Sequence, residues 1–388
     1  MTVHIVGAGI AGLSAALALS ERGIPILLHE ATPQAGGRCR SWQDPTLGIL
    51  DNGTHLVLSG NAAVTRYLER AGSTAEMPAE TPVFPFADVR SGKRWSVDLR
   101  RPWQLGLGAL GMLKPFLTGA DTSVSECLGH NRLWETLWRP LSVAALNTEP
   151  EAARARSLAA ILRASLLKGP GACAPRLART SLAAAFVDPA LNRLPPVRHR
   201  HRLTALEIQD DQLTGLRFAD GEFIETRNAI LALPAWEVSR LLPDLMVPDD
   251  HRAIINLHVH CKTAGPRLLG LIGGTGEWLS WRDGVASITV SAADRLLDQD
   301  AETLARSLWQ EVAGVLGATP ELPPGWQMIR EKRATFAATS AQEKLRPSTT
   351  SGPRGLTLAG DWTATGLPAT LEGACRSGEA AARQFFRN

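Results

Sequence analysis

Three features of the 388-residue sequence predict an α/β chain whose first and last segments build one domain. A buried-strand pattern, "VHIV" (Val3 to Val6), runs into a glycine-rich turn and then a helical pattern. A second apolar strand, "IPILLHE" (Ile24 to Glu30), completes a βαβ unit of the usual size. Near the other end, "LAGDWTATGLPATLEGACRSGEAA" (Leu358 to Ala381) has a strand-like lead-in, an acid, a glycine turn, a proline and a small-residue helix. A ligand-type loop placed so late implies that the C-terminus returns to complete a site begun by residue 7.

The elements follow in order. The first helix spans roughly Ala11 to Arg22, and another lies near Ala62 to Ala71. Pro78, Pro82 and Pro85 then mark a crossing into a second domain. Residues 76–195 read as mostly helical, with strand-like stretches at their start. From His201 to Pro234 the pattern is strand, turn, strand, Asp220-Gly221 turn, strand, strand. Its last run, "AILALP", is apolar throughout, as parallel-sheet strands are. Strands follow at "IINLHVH", "RLLGLIGG", "WLSW" and "VASITVSA", then a helix from Ala301 to Leu316 with apolar spacings of three and four. "GLTLAGDW" (Gly355 to Trp362) is a strand feeding the late loop. The expected division is residues 1–75, 196–240 and 351–388 in the ligand domain, and 76–195 and 241–350 in an interleaved α+β domain.

Composition narrows the function classes. With 44% hydrophobic and 20% charged residues and a formal charge of +3, the chain gives no sign of a nucleic-acid partner. Its densest basic run, "VRHRHRL" (Val197 to Leu203), has no interleaved aromatic and reads as a solvated strand face. The five cysteines are scattered without a CxxC pair, which fits a reducing compartment and no structural zinc. No signal peptide pattern opens the chain, and nothing reaches the roughly 18 apolar residues of a membrane span. The expected location is therefore cytoplasmic.

Gly7, Gly9 and Gly12 form G-x-G-x-x-G between strand and helix. The first permits the tight turn, the second lets backbone approach a diphosphate, and the third packs helix on strand. Phosphates would then meet the N–H groups around Ile10 and Ala11 at the helix N-terminus. Glu30, followed by Ala31, ends the second strand where an acid accepts hydrogen bonds from ribose hydroxyls. This is a Rossmann-like nucleotide site.

The doublet Gly36-Gly37, with Arg38, resembles that of the amine-oxidase and phytoene-desaturase class of flavoproteins, so the cofactor is expected to be FAD. Two glycines let the chain lie flat against the diphosphate while Arg38 offsets its charge. At the late loop, Gly360-Asp361 follows a strand, and Asp361 suits ribityl hydroxyls. Gly366-Leu367-Pro368 is expected to start a helix, with the N–H groups of Leu367, Ala369 and Thr370 facing the flavin.

From end to end the chain resembles the squalene-associated FAD-dependent desaturases, more narrowly the hydroxysqualene dehydroxylases. "GGRCRSW" with "DNGTHLVLSGN", "WRPLSVAALNT", "EKRATFAATSAQ" and "LAGDWTATGLPATLEGACRSG" carry the resemblance. "SWRDG" (Ser280 to Gly284) departs from the aromatic-rich form of the group, which bears on substrate selectivity rather than on reaction class. The resemblance implies a reductive dehydroxylation: acid-assisted loss of water from hydroxysqualene leaves an allylic cation, which takes a hydride to give squalene.

The resemblance also places "LDNGTHLV" beside the flavin ring, making Asp51 and His55 the candidate acids and Gly53 and Thr54 backbone contacts. Leu203 joins the expected cofactor contacts. Asp51-Asn52-Gly53 reads equally as a turn, Glu372 as a backbone-bonding residue, Arg139 as a packing residue and Cys375 as a buried small residue. "RPWQLGLGALGMLKPFL" (Arg101 to Leu117) is too short to span a membrane. As one helix it would place Trp103, Leu107, Leu110, Leu113 and Leu117 near one face, suited either to a core or to peripheral membrane contact. Carotenoid-type oxidative desaturation is the alternative activity; an amine oxidase or a non-catalytic lipid carrier ranks lower. No separate dinucleotide motif identifies the electron donor.

Overall fold

The computed structural model describes residues 2–386, with Pro102, Gln104, Leu105, Leu107 and Ala109 described in backbone only. A five-stranded parallel sheet runs in the order Leu356–Leu358, Ala229–Leu231, Val3–Val6, Ile26–His29, Val197–Arg198. Its strands thus come from the start, middle and end of the chain. The helix Ile10–Ser20 joins the third and fourth strands, and every residue from Ile10 to Leu19 is buried. It needs small side chains because a second helix, Leu371–Arg383, lies directly on it. A Cβ on Gly378 would come within 2.2 Å of the Ala11 carbonyl oxygen, and Ser14 Oγ donates to the Cys375 carbonyl at 3.0 Å. The small-residue pattern of the last helix is the signature of this close packing.

The expected meander is present as Leu203–Gln209, Gln212–Phe218 and Phe223–Glu225, its first turn carried by Asp210 and Asp211 at positive φ. The basic run before it is a solvated face only in part: His199, Arg200 and Arg202 are exposed. Only Val197–Arg198 is strand, and His201 is buried, its ring stacked on Phe218 and 2.9 Å from His29 Nδ1. Burial beside another buried imidazole won over the polar sequence.

A seven-stranded, mainly antiparallel sheet runs Trp326–Phe336, His251–His260, Val285–Val290, Trp278–Arg282, Leu269–Ile272, Val83–Asp88, Arg94–Asp98. The helix Ala301–Leu316 covers one face, burying Leu304, Leu308, Trp309 and Val312. The strand Trp326–Phe336 was not anticipated: it is half-exposed and rich in charge, so no apolar alternation announces it. Residues 114–164 form short helices, as expected of that region. Leu182, Phe186 and Ala190, however, join the core around the helix Ile10–Ser20, and the Tyr67 hydroxyl donates to the Phe186 carbonyl. By packing, the end of the 76–195 segment belongs with the ligand domain.

Two further expectations are corrected. Arg101 to Leu117 is not one helix: Pro102–Leu113 is a series of tight turns broken at Gly106 (φ 56°, ψ −150°), followed by the short helix Lys114–Leu117. Trp103, Leu110, Leu113 and Leu117 are nevertheless exposed, by 47 to 87%, while the Leu107 side chain lies outside the described residues. The last helix begins at Leu371, not at Gly366 to Pro368. Thr370 is the better cap, its Oγ1 accepting from Gly373 N at 3.0 Å, so 366–370 remains a loop.

Candidate active site

The nucleotide end is built by the loop after the first strand. A Cβ on Gly12 would strike the Gly7 carbonyl oxygen at 1.9 Å, so the helix can pack this tightly only with glycine. A Cβ on Gly9 would meet nothing within 4 Å, leaving open space above the loop. The helix beginning at Ile10 has no side-chain cap and no acid in its first turn, which leaves its N-terminal dipole available to an anion. Gly36 N donates to the Ala8 carbonyl at 2.8 Å, laying the Gly36-Gly37 turn alongside Gly9. Glu30 Oε2 accepts from Ala8 N at 2.9 Å, and its Oε1 accepts from Thr32 N at 2.9 Å; Ala31 lies between, half-buried. A carboxylate at this loop and an open, uncapped helix end fit the adenosine diphosphate half of a dinucleotide.

Arg38 reaches from that turn to the late loop. Its Nη2 donates to both carboxylate oxygens of Asp361 at 2.8 Å, and its Nη1 donates to the Ala334 carbonyl. Gly360 precedes Asp361, and its N–H is held by Ser377 Oγ at 2.8 Å. In the loop beyond, Leu367 N donates to Thr365 Oγ1 at 3.3 Å, which differs from the free amide expected there. Gly366 has φ 74° with open space around it, and Pro368 and Ala369 continue the loop to the Thr370 cap.

Asp51 and His55 line one cavity with Thr54, His258, Ser280, Arg282 and Ser287, walled by Ile49, Leu50, Leu177, Leu182, Trp281 and Val285. Asp51 is heavily engaged. Oδ1 accepts from Ser41 Oγ at 2.5 Å and from Leu182 N at 2.8 Å, and Oδ2 pairs with Arg282 Nη1 at 2.8 Å. Burial holds His55 below the ordinary imidazole range and Arg38 adds to this, while a hydrogen bond to the Arg38 backbone and the charges of Asp51 and Asp361 oppose it. The loop carrying both is pinned to the sheet by Asn256, whose Nδ2 donates to the Asn52 carbonyl at 3.2 Å. A Cβ on Gly53 would sit 2.9 Å from that Nδ2, so glycine is needed there for close approach.

Other singled-out residues have structural work. The Leu203 side chain is buried in the core with Val6 and Leu231, and its carbonyl accepts from Arg240. Arg139 bridges Glu149 and Glu151, and Cys375 is buried in the helix pair. Sequence reasoning missed Arg282, which sits in "SWRDG", and His258. A signal for His258 was present: in "IINLHVH" Asn256 and His258 alternate with Ile255, Leu257 and Val259, which face the covering helix. Polar residues on the second face of a buried central strand point to a site.

Known proteins match this architecture. The family of flavin containing amine oxidoreductases matches residues 122–385, and an NAD(P)-binding Rossmann-like domain matches residues 5–71. An oxidoreductase of known structure from Methanosarcina mazei superposes with a TM-score of 0.78 at 13% identity, covering 99% of this chain and 100% of that one. The hydroxysqualene dehydroxylase of Sinorhizobium fredii is 42% identical, covering 98% of this chain and 97% of its own. That of Rhodopseudomonas palustris is 41% identical with the same coverage. Identity of this level along both lengths, on a flavoprotein fold, shows that the chain belongs to the hydroxysqualene dehydroxylase family of flavin-dependent oxidoreductases.

Proposed function

We propose that this chain removes the hydroxyl of hydroxysqualene reductively, giving squalene, with FAD as its cofactor. The observation that carries the reading is the meeting of three things at one place: the nucleotide loop, the late loop joined to it through Arg38 and Asp361, and a cavity lined by both polar and apolar side chains, whose His55 feels Arg38 and Asp361. FAD fits the first because Glu30 and the Gly9 space suit an adenosine diphosphate. Bound and reduced, it would supply the hydride. In sum, the alcohol takes up one proton and one hydride and yields the hydrocarbon and water.

The chain's part is to bind, to exclude water and to handle the proton. Asp51 orients Arg282 and neutralises its charge, so the guanidinium does not oppose cationic character in the cavity. His55, held by burial below the ordinary imidazole range, gives up a proton more readily when protonated than a free imidazolium does, and is assigned the proton that assists departure of the hydroxyl. Segments 1–75, 196–240 and 351–388, with the end of the 76–195 segment packed against them, hold the cofactor in this reading, and the rest of the interleaved domain holds the isoprenoid.

A C30 isoprenoid partitions into bilayers, so the exposed Trp103, Leu110, Leu113 and Leu117, with Arg101 and Lys114 nearby, are assigned to peripheral contact with a membrane. No helix among the described residues is long and apolar enough to cross one.

Photoreduced enzyme mixed anaerobically with hydroxysqualene should reoxidise and yield squalene in the lipid extract. Reoxidation without squalene, or turnover only of a carotenoid-type substrate in the oxidative direction, would sink the reading.

A further inference from the structure

We propose that His258 and Ser287, with Ser280, form the subsite that recognises the substrate hydroxyl and separates the alcohol from its hydrocarbon product. This rests on the function proposed above and deepens it.

The three residues lie on adjacent strands of the seven-stranded sheet. His258 is directly opposite Ser287, and Ser287 directly opposite Ser280, so they form one polar rung on one face. His258 Nδ1 and Ser287 Oγ are 2.7 Å apart, and Ser280 Oγ is 3.3 Å from Thr54 Oγ1 on the loop carrying Asp51 and His55. The rung lines the same cavity as those two residues.

What sets it apart is what it lacks. His258 is 3% exposed, yet among the described residues its Nε2 has no hydrogen-bond partner. The Asp51 backbone comes close enough to raise the ring's affinity for a proton but does not complete an aligned bond to Nε2. On the other side of His258, Gln327 is its register partner, and Gln327 Oε1 is likewise buried without a partner. By contrast, Asn256, two residues before His258 on the same face, is fully used: it holds the Asn52 carbonyl and accepts from Thr289 Oγ1 at 2.9 Å. Buried polar atoms without partners are rare and costly, and a ligand that supplies the partner is favoured.

An alcohol oxygen both donates and accepts, so it satisfies Nε2 in either tautomer. Squalene offers nothing. A site built to hydrogen-bond a hydroxyl rejects the analogue lacking it far more strongly than an apolar pocket distinguishes shapes. Burial, opposed by Asp51 and assisted by Arg282, lowers the imidazole to about 4, so the ring is neutral near pH 7 and does not repel a developing cation.

The test uses oxidised holoenzyme, which binds without turning over. Flavin absorbance is titrated with hydroxysqualene and with squalene in the same micelles. The parent should prefer the alcohol by about tenfold or more. His258→Leu and Ser287→Ala should bring that ratio towards one while squalene affinity stays within about threefold, and His258→Gln, which keeps a donor, should retain part of it. Parent protein with no preference, or His258→Leu and Ser287→Ala with the full preference, would overturn the proposal. Flavin stoichiometry confirms folding of each variant. Anaerobic squalene formation by the parent is a separate arm: its failure sinks the reaction assigned above, whereas the binding ratio judges the subsite alone.

Discussion

The carboxylate of Glu372 caps a helix that starts more than three hundred residues earlier in the chain: it accepts from Ala63 N at 2.9 Å and from Val64 N at 3.0 Å. Asn61, at the position where a side-chain cap is usual, makes none to the helix Ala62–Ala71. Glu372 is 3% exposed and also holds Arg376 Nε at 2.9 Å. Glu372→Ala leaves two buried amides and a guanidinium without their partner. It should lower stability by about 1–3 kcal/mol, seen as an earlier thermal transition, with turnover per bound flavin unchanged. A marked fall in turnover at full flavin occupancy would give Glu372 a catalytic role instead.

Acid should loosen the nucleotide end first. His29 is fully buried between His4 and His201, and burial, with those two rings and Arg198, lowers it to about 3. Its folded value lies below its unfolded one, so between them the unfolded chain binds more protons. The stability it contributes is present above about 6.5 and is lost as pH falls towards 3. Unfolding free energy of the parent should therefore decline over that window, and His29→Phe, which can stack on Phe218, should flatten the slope. An unchanged slope in the variant would mean that His29 does not carry the acid sensitivity.

Removing Glu30 should affect binding more than chemistry. Its carboxylate accepts from the Ala8 amide within the glycine loop, a position suited to ribose hydroxyls. In Glu30→Ala, fluorescence titration should show weaker FAD binding, while the fraction that retains cofactor turns over almost as the parent does.

Asp51→Asn and His55→Ala should separate charge placement from proton delivery. Both should bind FAD and photoreduce normally. A general acid contributes roughly 10²–10⁴-fold, so if His55 is that acid its variant will reoxidise far more slowly with hydroxysqualene in single-turnover traces. Asp51→Asn should also slow the step, because Arg282 then stands unneutralised in the cavity. Should both remain within about threefold of the parent, neither residue handles the proton.

Flotation with liposomes tests the exposed apolar turn. Replacing Trp103 and Leu110, 71% and 60% exposed, with polar residues should reduce co-flotation without altering flavin content. Unchanged binding would move the membrane contact elsewhere.

Local chemistry was legible in the sequence and distant pairing was not. Gly7, Gly9, Gly12 and Glu30 declare themselves because turn, helix start and acid lie within one βαβ unit. The Asp210-Asp211 turn and the helix Ala301–Leu316 are written in neighbouring residues in the same way. Asp51 was visible as an acid, but its partner Arg282 lies more than two hundred residues away on the strand Trp278–Arg282, and only the folded chain shows the carboxylate already taken. His258 needed the register of three strands to become a site residue. The failures have physical causes too: Thr370 outcompeted Pro368 as a helix start, and Gly106 broke a pattern that its apolar neighbours made look continuous.

The parallel sheet places Val3–Val6 beside Ala229–Leu231, which in turn pairs with Leu356–Leu358. A ribosome making this chain releases the glycine loop about 350 residues ahead of the late loop. At about 5–20 residues per second, the first half of the site waits on the order of tens of seconds for the second. The helix Ile10–Ser20, apolar on every side, has no final neighbour until Leu371–Arg383 emerges. The two halves of the site cannot meet before the late loop emerges, and a nascent chain that stalls ahead of Leu371 leaves the apolar helix Ile10–Ser20 without the neighbour that covers it.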